Sequence, residues 1–595
     1  MPIILSYLGR HARPLRRSVL LALSLLSACA AADPGAQRSA AAADAAGAFG
    51  AYLTGRFAAS QTDLDRAARD LLRAYAADPG NPELLQQTFL ACLMDDRPEA
   101  ARLAAQLPDN PAAQLLLADD DARAGSWDAA EQRFHALPSQ GLTQLLRPLL
   151  VAWAQQGGGH ADAALATLRP YVEGQRFRGV YALHAAMIAD LAGDQAEAAR
   201  LYHIAQTDYG GLNLRLAQIL ASWQARQGRA AEAQHALRAL GEGSEDLSIA
   251  IPSLMAADTA RPVGNASDGI AEAYLALAAA LHQQDATEYA LMLLQLALDM
   301  RPDFAAARLL MADILQSGGH AANAIAALAP VPPADPLAPV VRLRRAALEE
   351  QAGNTGQATR LLDQLAHDYP TRPEPLALKG DILRSQSRFA DAVLAYDQAI
   401  ARIDHPGRSA WPLFYDRGIA LERSKQWPKA EADFEHALEL SPDEPYVLNY
   451  LGYSWAEQGH NLTRARQMIE RAQELRPNDG AIADSLGWVL LRQGDTAGAI
   501  RWLGHAVELD PEDSTINGHL GDAYWAVGRK LEAQYQWQLA LSLKPQPDDV
   551  ARLQAKLHEA ETQNGTATAG NTATTGVTAG ATTAGGATTA ERRLP

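Results

Sequence analysis

Few stretches of this chain could do chemistry, and each depends on the backbone that would carry it. Gly452-Tyr-Ser454-Trp-Ala456 would suit a nucleophile elbow only on a sharp strand-to-helix turn. The apolar spacing around it is helical, which removes that option. Asp119-Asp-Asp121 could attract a cation. Three successive acids point around a helix in different directions, so a solvated helix end is expected there. Gly157-Gly-Gly-His160 lacks the preceding strand and following Lys-Ser/Thr of a phosphate loop, and reads as a turn between helices. The fifteen histidines are scattered, with no His-Glu-x-x-His or Cys-His ligand set. Of the two cysteines, Cys92 sits in the apolar helical run Thr88-Phe-Leu-Ala-Cys-Leu-Met94 and is expected to be a buried free thiol. No disulfide framework, metal centre or cofactor is expected, and no group of residues converges on a catalytic site. The chain is expected not to be an enzyme.

The elements that would position any functional residue come from a repeat. Between Tyr446 and Pro545 the same helix-turn-helix pattern is written three times. It places glycines at 452, 487 and 521, alanines at 472, 506 and 540, and prolines at 477, 511 and 545. A period of about 34 residues without strand signals marks stacked helical hairpins. The pattern resembles the tetratricopeptide repeat (TPR). In the second copy, Gly487, Ala499 and Ala506 fall where two antiparallel helices approach closely. Gly494-Asp495 makes the turn, and Asp510-Pro511 ends the second helix. These repeated letters build a hairpin and carry no chemistry.

Fourteen hairpins or so can be traced. Gly55, Ala67, Ala74 and Pro79 keep the offsets of Gly487, Ala499, Ala506 and Pro511. Degenerate units follow at about 82–108, 111–138, 142–170, 179–206 and 212–240, with turns such as Ala124-Gly-Ser-Trp127, Ala192-Gly-Asp194 and Gln227-Gly-Arg229. Glycine and proline then break the rhythm over 242–268, read as a linker or distorted hairpin between an N-terminal array (48–241) and a C-terminal one (269–546). Within the latter, units are expected near 304–330, 337–370, 373–406 and 410–442 before the three clear copies. Residues 547–562 read as a capping helix. Residues 563–595, rich in Thr, Ala and Gly, read as disordered. The fold expected is all-α: a right-handed superhelical solenoid of TPR-type antiparallel hairpins.

The first 28 residues read as a leader. Arg10, Arg13, Arg16 and Arg17 precede the apolar run Val19-Leu-Leu-Ala-Leu-Ser-Leu-Leu26, which is too short to span a bilayer. Leu26-Ser-Ala-Cys29 resembles the bacterial lipobox, which implies that Cys29 is lipidated. Ala30 follows where an aspartate would resemble an inner-membrane retention signal. By that resemblance the anchor is the outer membrane, facing the periplasm. Residues 29–47 read as a flexible tether. The formal net charge of −17 argues against a nucleic-acid partner.

Partner binding is expected on the concave wall formed by the first helix of each hairpin. By TPR resemblance, the groove-facing positions lie three before the repeat glycine and one, four and five after it. They are Tyr415 and Glu422; Asn449, Tyr453 and Glu457; Asp484, Trp488 and Arg492; and Asp522 and Trp525. Seven of ten tryptophans fall between 411 and 537, and aromatic residues with Arg suit interface anchors. Lipobox and repeats together resemble the outer-membrane TPR lipoproteins that tether a periplasmic carboxyl-terminal processing protease and deliver peptidoglycan hydrolases to it. A scaffold for exopolysaccharide synthesis or export, a factor in outer-membrane or pilus assembly, and an enzyme with a site invisible in sequence are the alternatives.

Overall fold

A computed structural model describes residues 36–572, apart from 176, 211, 212 and 243. The leader, Cys29 and the tail from 573 onward lie outside the described residues. Those described form two compact units that divide between His405 and Pro406. Every regular element among them is helical. Ten hairpins fall in the first unit and four in the second, from Ala36–Ser60/Leu64–Ala77 to Ser514–Ala526/Lys530–Ser542.

The hairpins form for local reasons. In three hairpins an aspartate in the turn, Asp63, Asp194 or Asp495, accepts from an orphaned amide that begins the second helix. Asp194 accepts from the Glu197 amide at 3.0 Å, and Asp495 from the Gly498 amide at 2.9 Å. Gly193 and Gly494 end the helices before them with φ of 85° and 86°, a region that side chains disfavour. In the hairpins that keep the repeat glycine, at 55, 380, 418, 452, 487 and 521, it meets the second helix of the same hairpin. A Cβ on Gly487 would lie 2.6 Å from Leu503 Cγ and 3.0 Å from the Leu503 amide nitrogen; on Gly452 it would lie 2.8 Å from Ile469 and 3.0 Å from the Ala465 carbonyl. Backbone cannot yield as a side chain can. Gly487→Ala is therefore expected to cost about 1–3 kcal/mol through overpacking, read as a lowered urea midpoint. An unchanged midpoint would show that the helices separate freely.

Helix Ala36–Ser60 begins within the segment read as a tether, as alanine's helix propensity permits. At the other end, helix Pro547–Thr572 runs ten residues into the segment read as disordered. Residues 242–268 hold two short helices, Glu245–Ser248 and Ile251–Ala256. They are bound into the first unit: Ile249, Leu254 and Val263 are buried, Ser222 Oγ donates to the Ala260 carbonyl at 2.7 Å, and Arg261 lies 3.4 Å from Asp190. The compact units consequently divide about 140 residues later than this break in rhythm.

The first unit also closes on itself. Hairpin Ala266–His282/Thr287–Met300 packs against Pro82–Met94, Pro111–Arg123 and Leu142–Gly157, far back in the chain. Helix Thr287–Met300 is buried on nearly every side, from Ala290 through Leu298, as an all-round apolar sequence requires. Trp153, fully buried, lies where a Cβ on Gly269 would sit, and Asn323 Nδ2 donates to the Thr62 carbonyl at 2.6 Å. Nothing in the repeat spacing anticipates this closure.

Candidate functional site

The expected groove positions lie on four first helices of the second unit: Trp411–Arg423, Pro445–Gln458, Gly480–Gln493 and Ser514–Ala526. Successive first helices pack side by side from Pro445–Gln458 onward, so these positions sit along a seam. The structure sorts them into three clusters.

At the start, Tyr415 meets Tyr450 edge-to-face at 5.9 Å, and the Tyr450 hydroxyl donates to Glu422 at 3.3 Å. The central cluster is the densest. Trp488 Nε1 donates to Glu457 at 2.8 Å, and the Trp488 ring stacks on His519 at 4.2 Å. His519 Nδ1 lies 3.0 and 2.9 Å from the two oxygens of Asp484. Tyr453 stands 6.3 Å from the same imidazole. Arg492 donates to the carbonyls of Ala456 at 3.1 Å and Glu457 at 3.3 Å. Asn449 is half-buried, and its Oδ1 has no hydrogen-bond partner. In the last cluster, Asp522 accepts from Trp537 Nε1 at 2.9 Å and from Lys556 Nζ at 2.6 Å. Trp525 lies 5.4 Å from Trp537, with the Lys530 ammonium 5.1 Å above its ring.

Exposure divides these residues. Glu457 and Arg492 are exposed, whereas Tyr415, Glu422, Asn449, Tyr453, Asp522 and Trp525 are half-buried. Asp484 and Trp488 are buried, at 5% and 8% exposure. They form part of the packing between neighbouring first helices, because each finds its partner one hairpin away. Burial raises the Tyr453 hydroxyl pKa, helped by the charges of Glu457 and Asp484. Burial opposes charging of His519, but the charge and hydrogen bond of Asp484 outweigh it and raise the imidazole pKa.

Four residues that complete the clusters were not among the expected ones: Tyr450, His519, Trp537 and Lys556. Tyr450 and His519 share a register, two residues before the repeat glycine. That position varies between copies as Tyr450, Ser485 and His519, which was the available signal. Trp537 lies on a second helix and Lys556 on the closing helix, where the first-helix register has no bearing.

The other chemistry-bearing stretches resolve as follows. Ser454 is buried inside helix Pro445–Gln458, and Gly158 to His160 lie between two helices. Asp119 is not solvated: it is fully buried, with Tyr274 Oη 2.9 Å from each carboxylate oxygen. It points toward the returning helix Ala266–His282, which covers it; Asp120 and Asp121 pair with Arg123 and Arg133. Nearby, a cavity of about 250 Å³ is lined by Cys92, Asp96, Asp120, Arg123 and Asp299 among others. Cys92 is a buried free thiol whose pKa burial pushes up to about 12, which leaves it unreactive. Among the described residues, no group of three or more His, Cys, Asp or Glu could hold a metal ion, and no helix is long and apolar enough to cross a membrane.

Comparison with known proteins agrees with the hairpin geometry. Residues 263–411 match the family model of a tetratricopeptide repeat-like domain, and residues 415–480 and 485–549 match that of a tetratricopeptide repeat. The TPR repeat-containing protein PA4667 of Pseudomonas aeruginosa is 29% identical over 202 residues, 34% of this chain and 33% of that one. Superkiller complex protein 3 of Mus musculus is 25% identical over 236 residues, 32% of this chain and 15% of that one. The chain thus spans a third or less of the length of these relatives. A tetratricopeptide repeat protein structure from Parabacteroides merdae aligns with 43% of this chain and 97% of its own, at 15% identity and a TM-score of 0.35. This chain is an all-α array of TPR-type hairpins, and proteins built from such repeats are in general protein-interaction scaffolds.

Proposed function

We propose that this TPR-bearing chain is a non-enzymatic scaffold that holds partner proteins along the seam of first helices between Trp411 and Ala526. The observation that carries this reading is the run of aromatic–carboxylate clusters on successive helices, with Glu457 and Arg492 exposed beside them. Such a surface offers apolar area together with hydrogen-bonding groups already held in place, as interface anchors do. It suits a peptide segment or helix. The leader and the Leu26-Ser-Ala-Cys29 stretch support attachment through lipid on Cys29 to the outer membrane, facing the periplasm. Within that setting, the partners proposed are a carboxyl-terminal processing protease and the peptidoglycan hydrolases it cleaves.

Affinity capture from detergent-solubilised membranes tests this reading. The full chain is expected to retain the protease together with at least one cell-wall hydrolase, and to incorporate labelled palmitate that Cys29→Ser loses. Reproducible absence of both proteins would end the adaptor reading. Capture of a polysaccharide synthase instead would favour a role in exopolysaccharide export.

A further inference from the structure

The central cluster buries a histidine whose hydrogen bonding it leaves incomplete. His519 is 2% exposed, bonds Asp484 through Nδ1 and stacks on Trp488, yet its Nε2 has no partner. A buried polar atom without a partner is costly and calls for a reason. Two hairpins earlier on the same seam, Asn449 Oδ1 is likewise buried and unpaired, one helical turn before Tyr453. Asn517 Oδ1, on the same helix as His519, is a second unpaired acceptor. Of these open atoms, Asn449 Oδ1 and His519 Nε2 are the two that Tyr453 neighbours. An extended peptide backbone supplies the complement of that pair, an N–H for Asn449 and a C=O for His519. A carboxylate alone would complete only the second.

We infer that His519 is the anchoring donor for an extended peptide segment crossing Tyr453, with His519 Nε2–H bonded to a backbone carbonyl oxygen of that segment. This rests on the scaffold reading above and names the group that grips. The tautomer follows from Asp484: a carboxylate at Nδ1 requires a proton there. Nε2 then carries a hydrogen only in the imidazolium, so the grip depends on protonation. The charged and titratable groups around the ring come from each neighbouring element. Asp484 and Asp522 favour the imidazolium, and Arg552 on the closing helix opposes it; Tyr453 lies beside the ring, and Glu457 and Asp549 act in turn on Tyr453. Leu553 of the closing helix approaches Gly518, with its Cδ2 3.6 Å from where a Cβ there would lie.

The test uses the full chain and peptides selected on it from a random twelve-residue phage-displayed library, measured by fluorescence anisotropy from pH 5.5 to 9. Selected peptides are expected to weaken about ten- to a hundredfold in His519→Ala, the span of a hydrogen bond from a charged donor. Wild-type affinity is expected to fall as pH rises through the imidazole titration. Asp484→Asn, which removes the charge that supports the imidazolium, is expected to move that fall to lower pH. Circular dichroism of each variant reports whether the fold survives. If His519→Ala does not fold, histidine-selective NMR of the wild type decides instead: a selected peptide must shift the His519 Nε2 resonance. Equal affinity in wild type and His519→Ala, an unmoved resonance, or a library that yields no binder would overturn the inference. Capture of partners from membranes would survive all three results.

Discussion

Trp153→Ala will lower the stability of the first unit by about 3–5 kcal/mol, the usual cost of emptying a large buried aromatic site. Trp153 is wholly buried on helix Leu142–Gly157, and its Nε1 donates to His184 Nδ1 at 2.9 Å. Burial pulls the His184 pKa down to about 3, so the ring is neutral and able to accept. Removing the indole opens a cavity and orphans that acceptor. It also removes the surface on which the returning helix Ala266–His282 rests, since Gly269 has no room there for even a Cβ. Gly269→Leu should approach the same loss by overpacking. Tyr289→Ala is the control: its side chain is 56% exposed on the central helix Thr287–Met300, so a change within about 0.5 kcal/mol is expected. Urea unfolding followed by circular dichroism reads all three. A loss below about 1 kcal/mol for Trp153→Ala would mean that the closure carries little of the stability.

Asp299→Asn will stabilise the same unit at pH 8 by a few kcal/mol and leave it nearly unchanged at pH 4, an order of magnitude set by the displacement of one carboxyl pKa. Burial pushes Asp299 up to about 7; the neighbouring Asp96 charge adds to the rise, while Gln295 and Arg123 oppose it. The folded state keeps a proton that the unfolded chain releases near the ordinary value of 3.8. Stability from this group is fully present below 3.8, is lost as pH rises toward about 7, and changes no further above it. Other groups run the opposite way. Burial opposes ionisation of Asp190, but Arg226 outweighs it and lowers the pKa, so that pair weakens in acid. The informative quantity is consequently the difference between Asp299→Asn and wild type at each pH. A difference that stays flat from pH 4 to 8 would place the Asp299 proton elsewhere.

What could be read from the sequence alone is what short separations control. Gly487 meets Leu503 sixteen residues on, Gly494-Asp495 turns the chain between them, and Asp510-Pro511 ends the unit. Contacts of this kind recur every 34 residues or so, and that recurrence sufficed for the hairpins and the all-helical class. The same logic reached the helices that carry the candidate site, but not the state of its residues. Trp488 and Asp484 look alike in sequence whether they face solvent or a neighbour. They are buried because His519, 35 residues away from Asp484, stacks on one and bonds the other.

Longer separations were out of reach for a further reason. Asp119 stands at a polar helix end by sequence, and only the return of Tyr274, 155 residues later, buries it. The direction of that return accumulates from a small rotation at every hairpin, and no single repeat spells its own angle strongly enough to be summed. One clue was present in the all-round apolar run of Thr287–Met300, which required burial on every side. The repeat by itself determined which helices pair. Only the tertiary structure decided that the first unit closes around one of its own hairpins, and that the second leaves His519 and Asn449 each with an unpaired atom, because both outcomes depend on helices that lie far apart in the chain.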